Sequence, residues 1–295
     1  MGSISEEERI QRTVFDTPRA DPSREVFAEI DRLGLHQSLL SLDEHGYTVI
    51  ERVLDETTLE RARNAILNQL ERKSGSRPDL DAFEGEVPLG HFLLFEDPVF
   101  EEILMNEKML ALSTYLLGKS FVLSSMTCHA RGPANQHLPL HSDSPGAQPY
   151  SDVGVVANCN FALVDYTKEA GCISIVPGSH AWRRQPMPLE NDPYTNPEAK
   201  PIEAPAGSLI LYHANTWHGA YRREIPGVRL NLAVFMCRDH IHTQELIRES
   251  VTPEMLARNN ERFAQLCGQN IMNGWREGGP DFTKFKSTVG NTRFS

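Results

Sequence analysis

Hydrophobic positions follow two different periods along the chain. In the first part they recur at helical spacing, with strong stretches over residues 56–70 and 107–117. Asp55 is a suitable N-cap for the first stretch, and Gly118 a suitable stop for the second. Shorter helices are predicted over residues 23–34 and 253–266, after a loose polar arm and before a polar, glycine-rich tail, respectively.

The middle of the chain has the texture of β-structure. Short apolar runs are broken by glycine and proline, which predicts antiparallel strands and hence a β-barrel or jelly roll, mainly β with flanking helices. We expect one domain, with an arm and helix in 1–39, a core in 40–238, and a C-terminal helix and tail in 239–295. The predicted strands are 47–50, 121–125, 153–164, 172–176, 209–212 and 230–237.

Two irregular segments interrupt this pattern. Residues 74–88 are polar and glycine-containing, and residues 184–201 are rich in proline and poor in apolar side chains. Long loops inside compact domains usually have a functional role, so both segments are candidate lids over a binding site.

Composition narrows the range of possible functions. The net charge is −11, with 40% apolar and 23% charged residues, and no cluster of lysine or arginine offers a surface for nucleic acid. No apolar stretch approaches the ~18 residues that span a membrane. The five cysteines are dispersed without a C-x-x-C pair, which predicts reduced thiols and a cytoplasmic location. A small molecule is therefore the expected partner.

The candidate chemistry begins with His141 and Asp143. In an extended chain, residues two apart project to the same side, so both side chains could bind one ion, and His218 in a distant strand could supply a third ligand. Two imidazoles and one carboxylate on one face of an octahedron suit ferrous iron with open coordination positions. The H-x-D pattern alone is weak, because a surface His/Asp pair is common.

Arg229 strengthens the interpretation. It stands at the head of the apolar stretch Leu230–Phe235, where a buried guanidinium requires an anionic partner. That partner could be an internal Asp or Glu. Beside an iron triad, the better candidate is the far carboxylate of 2-oxoglutarate, which a guanidinium binds through two parallel hydrogen bonds.

Three linked segments now make the chain similar to a known family. In order and spacing, the sequence over roughly 40–238 resembles the phytanoyl-CoA dioxygenase family of Fe(II)/2-oxoglutarate oxygenases. The resemblance implies a double-stranded β-helix, in which His141, Asp143 and His218 hold iron and Arg229 anchors the cosubstrate. The segments are HLPLHSD (137–143), DYTKEAGCISIVPGSH (165–180) and GSLILYH (207–213), continuing through His218 to Arg229.

Some positions depart from the family pattern. Asn160 stands where relatives often have tryptophan, and its amide could still donate to a carboxylate of 2-oxoglutarate. Ala220 stands where relatives often have serine. Asp143 is present, whereas halogenating relatives replace this carboxylate, so halogenation is disfavoured. His137, His180 and His213 are expected to have structural or supporting roles.

The resemblance implies oxidation of a C–H bond of a small organic molecule, coupled to O2 and to decarboxylation of 2-oxoglutarate to succinate. Hydroxylation, desaturation and ring chemistry all remain open, and a substrate from secondary metabolism is a hypothesis. Two alternatives also stay open: a metal-dependent cupin-like hydrolase without 2-oxoglutarate, and a non-catalytic jelly-roll binding protein. The C-terminal helix and tail could serve a homo-oligomer interface.

Overall fold

The structure, a computed structural model, describes residues 24–269 and 277–279. The predicted N-terminal arm and glycine-rich tail lie outside the described residues. The helices are α1 (Arg24–Arg32), α2 (His36–His45), α3 (Glu56–Ser74), α4 (Val99–Leu104), α5 (Glu107–Leu117), α6 (Ile247–Ser250), α7 (Pro253–Arg258) and α8 (Glu261–Leu266). The strands are β1 (Tyr47–Ile50), β2 (Val122–Thr127), β3 (Leu138–His141), β4 (Val156–Ala162), β5 (Ile173–Ile175), β6 (Lys200–Ile202), β7 (Leu209–His213), β8 (His218–Ala220) and β9 (Asn231–Cys237).

The helix termini explain both the agreement and the differences. The Asp55 side chain accepts a hydrogen bond from the Thr58 amide and caps α3, as predicted. The predicted helix over 253–266 is wrong as a single element, because the Asn260 side chain accepts from the Phe263 amide and so begins α8 separately from α7. The sequence analysis also missed α2 and α4, whose apolar runs are short.

The strands form two antiparallel sheets. One has the order β1-β7-β4-β9-β2 and the other the order β3-β8-β5-β6. Residues of both sheets line one cavity, so the sheets face each other as in a jelly roll. The sequence analysis missed β6, and it expected extended chain at His141 and a strand at His218 without giving the bounds of β3 and β8. Each has only three or four residues and contains proline, glycine or charged residues, so no apolar run marks them.

The larger sheet separates the core from the cavity. On β4, Cys159 and Phe161 belong to a core cluster that includes apolar residues of α3 and α5. Asn158 and Asn160, which alternate with these two residues, face the opposite side and line the cavity. Period-two alternation therefore directs apolar side chains towards the helices and polar ones towards the space between the sheets.

A membrane-spanning helix is not found among the described residues, since none of their helices is both long and apolar enough. The five cysteines are all free and buried. Each cysteine is an isolated thiol in an apolar surrounding.

Candidate metal centre

The three predicted metal ligands come together where β3 pairs with β8. His141 ends β3 and lies directly opposite His218, the first residue of β8. One ligand atom from each of His141, Asp143 and His218 lies within 4.8 Å of the others. The distance from Asp143 Oδ1 to His141 Nε2 is 3.5 Å, and that from Asp143 Oδ2 to His218 Nε2 is 3.4 Å. Strand pairing thus assembles a cluster that the sequence separates.

Both histidines present the same nitrogen to this cluster. His141 Nδ1 lies 2.9 Å from the Pro139 carbonyl oxygen, and His218 Nδ1 lies 3.1 Å from the Thr216 carbonyl oxygen. When Nδ1 donates to a carbonyl, Nε2 carries the free lone pair that a metal requires. In each case the carbonyl belongs to the residue two positions earlier, so the local backbone orients the ring.

Asp143 is held as a carboxylate. Asn158 Nδ2 donates to Asp143 Oδ2 at 2.9 Å, from the facing strand β4. Burial by itself would raise the pKa of Asp143, but the charges of His218 and His141 and the hydrogen bonds outweigh it, and the pKa is lowered. The ionised form is the one that ligates a cation.

The two imidazoles differ in their surroundings. Burial lowers the pKa of His218 to about 4, which leaves this ring neutral at physiological pH. Burial by itself would lower the pKa of His141, but the hydrogen bond to Asp143 and the negative charge of Asp143 outweigh burial. The pKa of His141 is therefore raised. A dication would displace the proton from His141 and join all three groups.

The cluster opens into a cavity of about 240 Å³ between the sheets. Arg229 lines the same cavity, as do polar side chains of β2, β4 and β9. The residues at this polar wall are Ser125, Thr127, Asn158, Asn160 and Asn231.

Arg229 has no carboxylate partner among the described residues. It is 2% exposed, and its Nη1 and Nη2 donate to the carbonyl oxygens of Gly171 at 2.7 Å and His129 at 2.9 Å. Its Nε is buried without a hydrogen-bond partner. The internal salt bridge that the sequence left open is therefore not formed, and a buried positive charge faces the cavity without a counter-ion.

Asn160 lines the cavity, but its amide is already engaged. Its Nδ2 donates to Asn158 Oδ1 at 2.8 Å and to Tyr212 Oη at 3.1 Å, while its Oδ1 accepts from Asn231 Nδ2 at 2.6 Å. The predicted donation from Asn160 to 2-oxoglutarate would require one of these bonds to open, and it stays a prediction. In the structure, Asn160 links the polar side chains of the cavity wall.

The other predicted histidines stand apart from the cluster. The ring of His137 packs edge-on against Tyr194. His213 Nδ1 accepts from the Asn215 amide at 3.0 Å, and burial lowers the pKa of His213 to about 3. The rings of His180 and His213 lie 5.9 Å apart.

The sequence analysis missed several residues of the site. Asn158, Tyr212 and Arg131 line the cavity, and Asn158 contacts a predicted ligand directly. The alternation around Asn160 contained the signal for Asn158, because residues two apart on a strand share a face. Arg131 follows the end of β2 in a segment without a strong pattern.

Residues 184–201, a predicted lid, are fastened to the metal-ligand strand. Gln185 Oε1 accepts from the Ser142 amide at 2.8 Å, and Gln185 Nε2 donates to the Ser142 carbonyl at 2.7 Å. Arg184 and Glu190 close the segment with two hydrogen bonds of 2.6 and 2.8 Å. The segment therefore supports the residue between His141 and Asp143, and its action as a lid stays a prediction.

The chain is similar in sequence to known proteins. Residues 42–229 match the family described as phytanoyl-CoA dioxygenase. An uncharacterised protein of Mycobacterium bovis is 28% identical over 188 residues, covering 60% of this chain and 66% of that protein, slightly under two thirds of its length. The dioxygenase cdmD of Talaromyces verruculosus is 22% identical over 278 residues, covering 83% of this chain and 89% of that enzyme.

Solved structures share the fold. HygX of Streptomyces hygroscopicus, solved with nickel and 2-oxoglutarate, has a TM-score of 0.58 at 19% identity, covering 70% of this chain and 88% of HygX. The α-ketoglutarate-dependent carbocyclase SnoK has a TM-score of 0.55 at 22% identity, covering 76% of this chain and 90% of SnoK. The predicted jelly roll is confirmed. Because the family match extends over more than half of the chain, this protein belongs to the phytanoyl-CoA dioxygenase family.

Proposed function

We propose that His141, Asp143 and His218 bind Fe(II), that Arg229 binds the far carboxylate of 2-oxoglutarate, and that the protein oxidises a C–H bond of a small organic molecule. One observation carries this proposal. The three ligand atoms lie within 4.8 Å of one another in a cavity that also contains a buried guanidinium without a carboxylate partner among the described residues.

The donor set fits ferrous iron. Two imidazole nitrogens and one carboxylate lie close together and line a cavity, which leaves room for an ion that also takes a cosubstrate and O2. When bound, iron with 2-oxoglutarate and O2 supplies the oxidising chemistry. The chain's own residues orient the ligands, pair the charge of the cosubstrate and exclude bulk water.

The substrate class follows from the cavity wall and from the relatives. Ser125, Thr127 and Gln244 line the cavity and offer hydrogen bonds to a polar substrate. Solved neighbours include HygX with hygromycin B bound and SnoK from nogalamycin biosynthesis. These support a natural product as the substrate, and hydroxylation as the simplest outcome.

Other expectations remain part of this proposal. A cytoplasmic location is supported by five free, buried thiols. A single domain over 1–295 is supported by one core cluster that joins the helices to the larger sheet. A homo-oligomer stays a prediction.

Anaerobic titration of the Fe(II)-loaded protein with 2-oxoglutarate tests the proposal. We expect a weak visible charge-transfer band, followed on admission of air by succinate release. Arg229→Gln should weaken 2-oxoglutarate binding by at least about tenfold, because it removes charge-assisted hydrogen bonds to a carboxylate. A folded, iron-loaded protein that gives neither band nor succinate would exclude the proposal, and a cupin-like hydrolase would be indifferent to the substitution.

A further inference from the structure

A second arginine lies directly opposite Arg229. Arg131 and Arg229 form an antiparallel bridge, in which the Arg131 amide donates to the Arg229 carbonyl at 3.0 Å and the reverse bond measures 2.9 Å. Residues paired in this way project to the same face, with Cα atoms about 5.5 Å apart. Both side chains line the metal cavity. Two cations therefore share one region of a cavity enclosed by protein.

This arrangement is unfavourable unless an anion joins it. Like charges directly opposite each other on paired strands are destabilising, and burial increases the repulsion. Burial, with the neighbouring charge of Arg229, lowers the pKa of Arg131 to about 10, so Arg131 remains a cation at neutral pH. Among the described residues, neither guanidinium forms a salt bridge with a carboxylate, and Arg131 Nη1 donates to the Gln136 carbonyl.

Three buried donors at this arginine pair lack hydrogen-bond partners. The Nε atoms of Arg131 and Arg229 are buried without partners, and so is the hydroxyl of Tyr166, which is 1% exposed. The Tyr166 ring centroid lies 5.5 Å from the Arg229 guanidinium carbon. Buried donors are normally satisfied, so such a group of unpartnered donors indicates that an acceptor belongs there.

Position 220 contributes no side-chain hydrogen-bond donor to this cavity. Ala220 lines the cavity opposite Leu138 and offers only a methyl group. Arg131 lies on the β2 side of the same cavity and supplies donors and charge instead.

We propose that Arg131 is a second cosubstrate-binding residue, which together with Arg229 holds the far carboxylate of 2-oxoglutarate. This inference rests on the proposed function, since it assigns a contact to the cosubstrate of that site. The pair of guanidinium groups selects a 2-oxo acid with a carboxylate at its far end. A neutral chain of the same length leaves both cations unpaired.

The test compares two 2-oxo acids on anaerobic Fe(II)-protein. One is 2-oxoglutarate and the other is 2-oxopentanoate, which has a methyl group in place of the far carboxylate. Binding is followed by the charge-transfer band and, independently, by the rise in melting temperature at saturating ligand. The variants are Arg131→Gln and Arg131→Lys. The control Arg262→Gln removes an arginine of α8 that does not line the cavity.

Arg131→Gln should weaken 2-oxoglutarate binding by about 10-fold to 100-fold, as expected for charge-assisted hydrogen bonds, and should leave 2-oxopentanoate binding unchanged. Arg131→Lys should fall between wild type and Arg131→Gln, because it keeps the charge but loses the planar fork. Arg262→Gln should leave the ratio of the two affinities within about threefold of wild type, since Arg262 does not line the cavity and bonds to the Lys119 carbonyl instead.

Contrary outcomes separate the two proposals. An Arg131→Gln protein that binds 2-oxoglutarate as wild type does, or loses both acids equally, overturns the second contact, while loss with Arg229→Gln still supports the proposed function. A wild-type protein that binds neither acid overturns the proposed function itself. If Arg131→Gln fails to fold, Arg131→Lys is used instead, and the ratio of its affinities for 2-oxoglutarate and 2-oxopentanoate decides in the same way.

Discussion

At the scale of single residues, each proposed metal ligand is oriented by a specific neighbour. Both histidines place Nδ1 against the carbonyl oxygen two residues earlier, and Asp143 accepts from Asn158. The first two contacts lie within the strand segments that carry the ligands. The third crosses between the sheets, so it ties the metal ligands to the cavity wall.

Asn158→Ala should weaken Fe(II) binding by about 10-fold to 100-fold, the usual effect of removing a group that holds a metal ligand. The physical reason is that Asp143 Oδ2 loses its hydrogen bond and the carboxylate becomes free to rotate. Competition of the anaerobic protein with a colorimetric chelator measures the affinity. Asn64→Ala, on the exposed side of α3, is the control, and equal iron affinity in the two variants would contradict this role of Asn158.

At the scale of elements, the site depends on how closely β8 approaches β3. A Cβ added at Gly219 would lie 2.4 Å from the Leu138 carbonyl oxygen and 3.1 Å from the Pro139 carbonyl carbon. These atoms are backbone and cannot turn aside. Glycine between His218 and Ala220 therefore permits the strand contact that brings His141 and His218 together.

Gly219→Ala should force the two strands apart and lower Fe(II) affinity by more than about tenfold, because the ligand geometry of a metal tolerates deviations of only about 0.2 Å. Gly278→Ala, where an added Cβ meets nothing within 4 Å, is the control. Chelator competition and a crystal structure of the variant measure both consequences. Unchanged iron binding at an unchanged strand spacing would show that this close approach is not required.

The segment 184–201 also supports the metal ligands, because it is hydrogen-bonded to the residue that follows β3. Gln185 makes two hydrogen bonds to the backbone of Ser142, between His141 and Asp143. Gln185→Leu should lower iron affinity about tenfold, because ligand-supporting contacts act through the ligand's position. Asn196→Ala, which removes a hydrogen bond to the Glu190 carbonyl within the same segment, should leave iron affinity as in wild type. Loss of affinity in both variants would instead indicate general loosening of the segment.

At the scale of the whole molecule, two histidines are buried as neutral rings. Burial lowers the pKa of His213 to about 3 and that of His218 to about 4. In an unfolded chain, the same rings have pKa values near 6.5. His141 has the opposite effect, because Asp143 outweighs the burial of His141 and raises its pKa.

Stability of the metal-free protein should therefore fall as pH drops below about 6.5, because the unfolded chain binds protons that the folded chain does not. Each such histidine contributes up to about 1.4 kcal/mol per pH unit, so urea unfolding at pH 7.5 and pH 5.0 should differ by more than about 1.4 kcal/mol. His213→Gln should reduce this difference. An equal free energy of unfolding at both values would contradict the assignment of neutral buried rings.

Local sequence determined the longer helices and strands of this protein and its family. Period-two and helical spacing predicted the long helices and strands, since they depend on near neighbours along the chain. The linked segments predicted the family and the jelly roll, and both are confirmed. The use of Fe(II), 2-oxoglutarate and O2 belongs to the proposed function. The roles of the individual ligands, of Arg229 and of Asn160 remain predictions.

Tertiary structure decided what surrounds those residues. The short strands β3 and β8 are stabilised by pairing rather than by an apolar pattern, so their bounds and register were not visible in the sequence. The absence of a carboxylate at Arg229 among the described residues, the cation of Arg131 beside it and the support of Asp143 by Asn158 depend on strands distant in sequence. Which groups share a buried space is a property of the packed sheets, because no local interaction specifies a contact between residues far apart in the chain.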